Sequence, residues 1–276
     1  MAAKDACRKL RARLAEFVAQ KWGVDSGAVR FVADGVEADT ADGLQRWTFD
    51  DLAHKAWFGR VSLSAQGFYR TPKIHWNVKT FKGRPFYYFA YGAACAQVAI
   101  DTLTGEMKVE RVDLLHDVGS SLNPALDKGQ VEGAFIQGMG WLTGEELVWN
   151  AKGVLTTHAP STYKIPTAAD VPEIFNVGLV ENSPNREDTI YRSKAVGEPP
   201  FMLAFAVYHA VRDAVSAAGD YRAAPQLTAP ATAEAILRAV DEVKARMARW
   251  TTIGGMIFPD GTTIDEYLDR LESGRA

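Results

Sequence analysis

The chain has 276 residues, 47% of them hydrophobic and 24% charged, which is enough apolar material to bury a sizeable core as one large or two small domains. Its formal charge is −3 with lysines and arginines spread among acids, so it carries no basic stripe for nucleic acid. No stretch approaches the length of a membrane span, and Met1-Ala2-Ala3-Lys4-Asp5 leads into a charged amphipathic segment in place of a signal peptide, so a soluble chain with no membrane partner is expected.

Cys7, Leu10, Leu14, Phe17 and Val18 recur at helical spacing and predict an opening amphipathic helix to about Trp22, stopped by Gly23. Short apolar pieces among Gly27, Gly35 and Gly43 suit small strands, and Thr48-Phe49-Asp50-Asp51 suits a helix start; residues 24–60 form a small connecting subdomain in this reading. Residues 60–85 read as an aromatic loop whose Phe68, Tyr69, Trp76 and Phe81 pack within it. Phe86–Ile100 and Met107–Val118, joined across Asp101–Gly105, make the clearest β-hairpin; residues 145–157 around Asn150–Gly153 make a second, and 175–181 a further strand. Antiparallel β structure is therefore expected to dominate the middle. A helix apolar on nearly all faces follows Glu198 up to about Gly219, another spans residues 232–249, and residues 250–276 read as a tail with a turn at Pro259-Asp260-Gly261. The fold class is α+β, an antiparallel sheet with packed helices, with one domain over residues 1–249.

Two stretches carry chemistry. Residues 129–140 place Gly129, Gly133 and Gly140 in a helix, at about 1 kcal/mol each against alanine, where a neighbour can come very close; the amide of Gln130 can both donate and accept, as the edge of a heterocycle requires. Tight helix packing would explain the same glycines. The run Lys194-Ala195-Val196-Gly197-Glu198-Pro199-Pro200-Phe201 holds one acid at the start of an apolar helix, with φ fixed by the prolines and close approach allowed at Gly197. The octapeptide alone leaves two uses open for Glu198: stabilising the helix N-terminus, or serving as a positioned base.

Other chemistries are dismissed. Cys7 and Cys95 are far apart with no CxxC pair, so neither a disulfide framework nor an iron–sulfur or zinc cluster is written here, and a reducing cytoplasm is the expected setting. His54, His75, His116, His158 and His209 lack metal-ligand spacing and read as surface or satisfied core residues; no protein-ligated metal is expected. No GxSxG elbow, Walker loop or dinucleotide fingerprint is present, Gly119-Ser120-Ser121 reads as a turn before Asn123-Pro124, and His116 and Asp117 point to opposite faces of one strand.

Five separated segments, in order, together resemble the C-terminal half of the molybdenum-binding subunit of xanthine dehydrogenases. They are Gly67-Phe68-Tyr69-Arg70-Thr71-Pro72, Asp117-Val118-Gly119-Ser120-Ser121-Leu122-Asn123-Pro124, residues 129–140, Pro160-Ser161-Thr162-Tyr163-Lys164-Ile165-Pro166, and residues 193–200. The resemblance covers roughly residues 3–240. It implies the second molybdopterin-binding domain of a molybdenum hydroxylase, one lobe of a two-lobed cofactor site, acting on hypoxanthine or xanthine. It further implies that Glu198 is the general base, that Gln130 contacts the pterin through its amide, and that Gly197 does so through its backbone.

The family's preceding pterin loops, its substrate-clamping arginine and the aromatic residues that sandwich the purine have no counterpart here. The resemblance therefore implies partner chains: the N-terminal half of the molybdenum-binding subunit, and an iron–sulfur/FAD subunit carrying the 2Fe-2S, FAD and NAD functions. Two readings stand at this point, a catalytic half-subunit sharing molybdenum–molybdopterin with a partner, or a non-catalytic remnant or assembly module that binds no cofactor. Retention of Glu198 and Gln130 favours the first.

Overall fold

The helical spacing of the first residues is realised as α1 (Ala2–Trp22), which buries Leu14, Phe17 and Val18 and stops at Gly23 in the left-handed region at φ 66°. The coordinates are a computed structural model that describes residues 1–254 and 262–272. After α1 come β1 (Arg30–Val32), β2 (Gly35–Thr40) and β3 (Gly43–Thr48), an antiparallel meander in that order. Thr48 then caps α2 (Phe49–Phe58), its hydroxyl accepting from the Asp51 amide at 3.1 Å. Leu52 and Ala56 of α2, Val36 of β2 and the buried residues of α1 share one apolar cluster.

The backbone divides into two compact units, Met1–Tyr87 and Tyr88–Ala276. The strands and helix read as a subdomain over residues 24–60 thus share a unit with α1 and with the loop that follows. That loop is strapped along α1: Arg13 donates to the carbonyls of Ser62 and Ser64, and a Cβ on Gly67 would lie 1.9 Å from the Ala2 carbonyl. Its aromatics differ from the expected loop packing. Phe68 and Phe81 are exposed, and a two-stranded ladder of β4 (His75–Asn77) and β5 (Lys82–Arg84) brings the Trp76 and Phe81 rings to 6.3 Å.

In the second unit, β6 (Gly92–Ile100) and β7 (Met107–His116) form the expected hairpin, with a bulge where Gln97 pairs with Arg111 and Val98 with Val109. The extra residue, Glu110, explains why Val109 and Val112, three apart, are both buried, after which Leu114 and His116 resume the strand alternation. The third strand, β8 (Ile174–Leu179), lies beside β7 in parallel register, Val112 opposite Phe175, so the sheet is mixed where antiparallel pairing was expected. Parallel pairing requires a crossover, and residues 117–173 supply it, with α3 (Pro124–Thr143) inside. The hairpin expected at residues 145–157 is reduced to one bridge between Trp149 and Leu155.

Helices α4 (Phe205–Ala218) and α5 (Ala233–Gly254) complete the core, and α6 (Ile264–Glu272) follows. Helix α4 buries only the stripe Val207, Val211 and Val215, with Phe205 39% exposed, so it is amphipathic and not apolar all round. Of the tail expected over residues 250–276, the end of α5 and α6 are seen, while the turn at Pro259-Asp260-Gly261 lies outside the described residues. Among the described residues no helix is long and apolar enough to cross a membrane.

Phe135 of α3 is fully buried, its ring 5.5 Å from that of Phe175, and so joins the crossover helix to the last strand. Phe135→Ala is expected to lower the unfolding free energy by about 3–5 kcal/mol in a urea titration, because the residual cavity adds to the lost transfer energy.

Candidate active site

The carboxylate of Glu198 is presented by a segment that adds itself to the end of β7. Lys194 donates its amide to the Val118 carbonyl at 2.7 Å, Ser120 donates to Arg192 at 3.0 Å, and Gly119 bridges Ser193. A Cβ on Gly119, at φ 66°, would sit 2.5 Å from the Arg192 carbonyl, so only glycine allows the two strands to close here. Buried Asn185 ties the same turn from within, its amide donating to the Ser193 carbonyl at 3.1 Å, and the turn passes through left-handed Tyr191 and Arg192.

A further tie is electrostatic and buried. Lys194 Nζ lies 2.5 Å from Asp117 Oδ2, with side chains only 9% and 6% exposed, and Asp117 Oδ1 accepts the Gly119 amide at 2.8 Å. The next residue, Ala195, donates its amide to the Tyr88 hydroxyl at 2.9 Å, and the Gly197 carbonyl accepts from Gln130 Nε2 at 3.3 Å.

Glu198 then opens a six-residue 3₁₀ turn, Pro199–Ala204, that precedes α4, so a tight turn stands where an α-helix start was expected. The turn is seated on α3 at Gly138, where a Cβ would be 2.5 Å from the Phe201 carbonyl; at Gly140 a Cβ would be 2.3 Å from the Pro166 ring. The intimate packing expected of the glycine-rich helix thus falls at Gly138 and Gly140. Gly129 and Gly133, expected to meet a close neighbour, meet nothing within 4 Å among the described residues, and Gly197 likewise.

Gln130, Gly133 and Gln137 lie three and four residues apart along the exposed side of α3. Glu198 is also exposed; its side chain does not cap the turn and makes no hydrogen bond among the described residues. The arrangement is an open face: a carboxylate, an amide and three glycines with free space above them. It is separate from the cavity of about 380 Å³ lined by Met139, Gly140, Ile165 and Pro166, which includes none of Gln130, Gly197 and Glu198. Among the described residues no group of three His, Cys, Asp or Glu side chains is arranged to hold a metal ion.

Asp117 and His116 do not form a pair, as expected from their opposite directions. His116 departs from the expectation of a satisfied core residue: both ring nitrogens are buried with no hydrogen-bond partner among the described residues. Sequence reasoning placed Lys194 in a motif without seeing its role. The only available signal was a lysine and an aspartate in two segments of the same resemblance.

A family model described as a molybdopterin cofactor-binding domain matches residues 1–172, and the chain belongs to that family. It is 50% identical over 198 residues to xanthine dehydrogenase/oxidase of Felis catus and 51% identical over 173 residues to xanthine dehydrogenase of Dictyostelium discoideum. These matches take in 70% and 62% of this chain but only 15% and 13% of the relatives, so the chain spans about a seventh of their length. In structure it is similar to CO dehydrogenase from Oligotropha carboxidovorans, with a TM-score of 0.54 over 87% of this chain and 28% of that one at 20% identity, a likeness of fold. Gln130 lies inside the residues matched by the family model, and Glu198 beyond them.

Burial holds the His116 imidazole below its ordinary value of 6.5, with Lys194 pushing the same way and Asp117 opposing. Above pH 6.5 the ring is neutral in folded and unfolded chains alike; below it the unfolded chain takes up a proton that the folded chain resists, so stability falls as pH falls until the depressed folded value is reached. Urea titrations at about pH 7.5 and about pH 5.5 should show this loss, and His116→Leu should flatten it.

Proposed function

We propose that this chain is one wall of the molybdenum–molybdopterin site in a xanthine dehydrogenase-type hydroxylase that oxidises hypoxanthine and xanthine toward urate, with Glu198 as general base. The observation that carries the reading is an exposed carboxylate without a hydrogen-bond partner among the described residues, on a turn tied by buried contacts and set beside an amide and open glycines. A carboxylate in water is a weak base at neutral pH, and burial against a second lobe raises its affinity for a proton. The exposure of Glu198 in this chain therefore fits a half-built chamber.

The face suits a flat, polar cofactor. Gln130 can donate to and accept from a heterocycle edge, the backbone at Gly197 is open to a ligand, and Gly129 and Gly133 leave room that a Cβ would take. When bound, molybdenum–molybdopterin supplies the redox and oxygen-transfer chemistry. Glu198 accepts, on a carboxylate oxygen, the proton released as the oxygen nucleophile attacks the purine carbon. The partners that complete the enzyme are the N-terminal half of the molybdenum-binding subunit and an iron–sulfur/FAD subunit that passes electrons to NAD, in keeping with the small share of its relatives that this chain spans.

Co-expression with that N-terminal half should give a complex containing molybdenum, with xanthine-dependent reduction of an electron acceptor. Glu198→Gln should lower kcat by about 10²–10⁴-fold at unchanged molybdenum content. A complex without molybdenum would instead identify the chain as a non-catalytic module.

The open glycines give a separate test. In this chain alone Gly133→Ala should raise stability by up to about 1 kcal/mol, since it improves helix propensity and meets no neighbour. In the complex the same change should reduce molybdenum content, measured by metal analysis.

A further inference from the structure

The residues just before Glu198 are anchored one after another. The Ser193 carbonyl accepts from buried Asn185. Lys194 is gripped by Asp117 at 2.5 Å, with its Nζ 5.1 Å from the Tyr91 ring centroid, and its amide is bonded to Val118. Ala195 donates its amide to the Tyr88 hydroxyl. Beyond Glu198 the prolines fix φ, and the Phe201 amide returns to the Glu198 carbonyl at 3.0 Å.

Burying two charges gains little stability over a well-packed apolar pair, because desolvation offsets most of the attraction. What an ion pair adds is direction: Lys194 is satisfied in one place only, against Asp117, and that place sets where the chain leaves for Glu198. The pair spans 77 positions in sequence and joins the end of β7 to the segment that carries the acid.

We propose that Asp117, through its buried contact with Lys194, and Tyr88, through its contact with the Ala195 amide, are positioning residues that fix the location of the Glu198 carboxylate. The proposal rests on Glu198 being the base. Neither residue touches the reacting atoms. Both act through the backbone that precedes the acid, and a misplacement of about 1 Å at a reacting group can cost about 10²-fold in rate.

The test is a double-mutant cycle in the co-expressed complex, reading kcat, KM and molybdenum content. Asp117→Asn keeps an oxygen for the Gly119 amide but removes the charge that holds Lys194. Tyr88→Phe removes one hydroxyl without leaving a buried charge, and so keeps the test open should Asp117→Asn fold poorly. Each change is expected to lower kcat by about 10-fold to 10²-fold with KM altered less than about 2-fold and molybdenum retained. In a Glu198→Gln background the same changes should have almost no further effect, because there is no longer a base to place. An additional control, Asp117→Asn with Lys194→Met, removes both charges and keeps the acceptor for Gly119; it should recover the thermal stability lost in Asp117→Asn alone while kcat stays low.

If Asp117→Asn and Tyr88→Phe lower kcat equally with Glu198 or Gln at position 198, or leave it unchanged, the positioning role is overturned. A near-normal kcat for Glu198→Gln itself would overturn the base assignment, a result distinguishable from the first.

Discussion

One buried ion pair organises the segment that carries Glu198. Asp117 closes the inner strand of the sheet, and Lys194 stands at the root of the turn bearing Glu198. With both side chains almost wholly removed from water, separating them would leave an unpaired charge in a medium that solvates it poorly, a penalty of several kcal/mol. The two segments are therefore held together, and the smaller features around them are legible as supports: a glycine at position 119 that lets the strands meet, Asn185 bracing the turn, and Gly138 giving the Pro199–Ala204 turn its seat on α3. The ordering runs from sheet to pair to turn to acid.

The face that results is exposed. Its helix carries glycines at 129 and 133 that lower helix propensity without a compensating contact among the described residues, while neighbours crowd the glycines at 138 and 140. The second pair answers to the packing of this domain, and the first does not. The chain belongs to a molybdopterin cofactor-binding family, and the proposed function seats that cofactor on this face.

Much of this was legible in the amino-acid sequence, and the limits have physical causes. Local signals held: the apolar spacing of α1, the Thr48 cap and the β6–β7 hairpin depend on neighbours within a few residues. The parallel partner of β7 was missed because the direction of pairing is decided by a long crossover, not by the strand's own residues. The apolar run after Glu198 predicts a uniformly buried helix because such a run does not reveal that Met202 and Phe205 face outward. Of the site, Glu198, Gln130 and Gly197 were singled out from motif and resemblance, and the contact between Gln130 and Gly197 brings two of them together. The grip of Asp117 on Lys194 was invisible, because 77 residues separate its members and nothing local betrays a buried charge.

The parallel pairing of β8 with β7 has a bearing on how the domain comes into being. A ribosome delivers the β6–β7 ribbon first, and its turn is short enough to close at once, but the third strand emerges only after the whole of residues 117–173. Until then one flank of β7 offers unmatched amide and carbonyl groups to any passing strand. Such late closure makes for slow maturation and for an interval in which nascent chains are prone to stick to one another, an interval that chaperones guard.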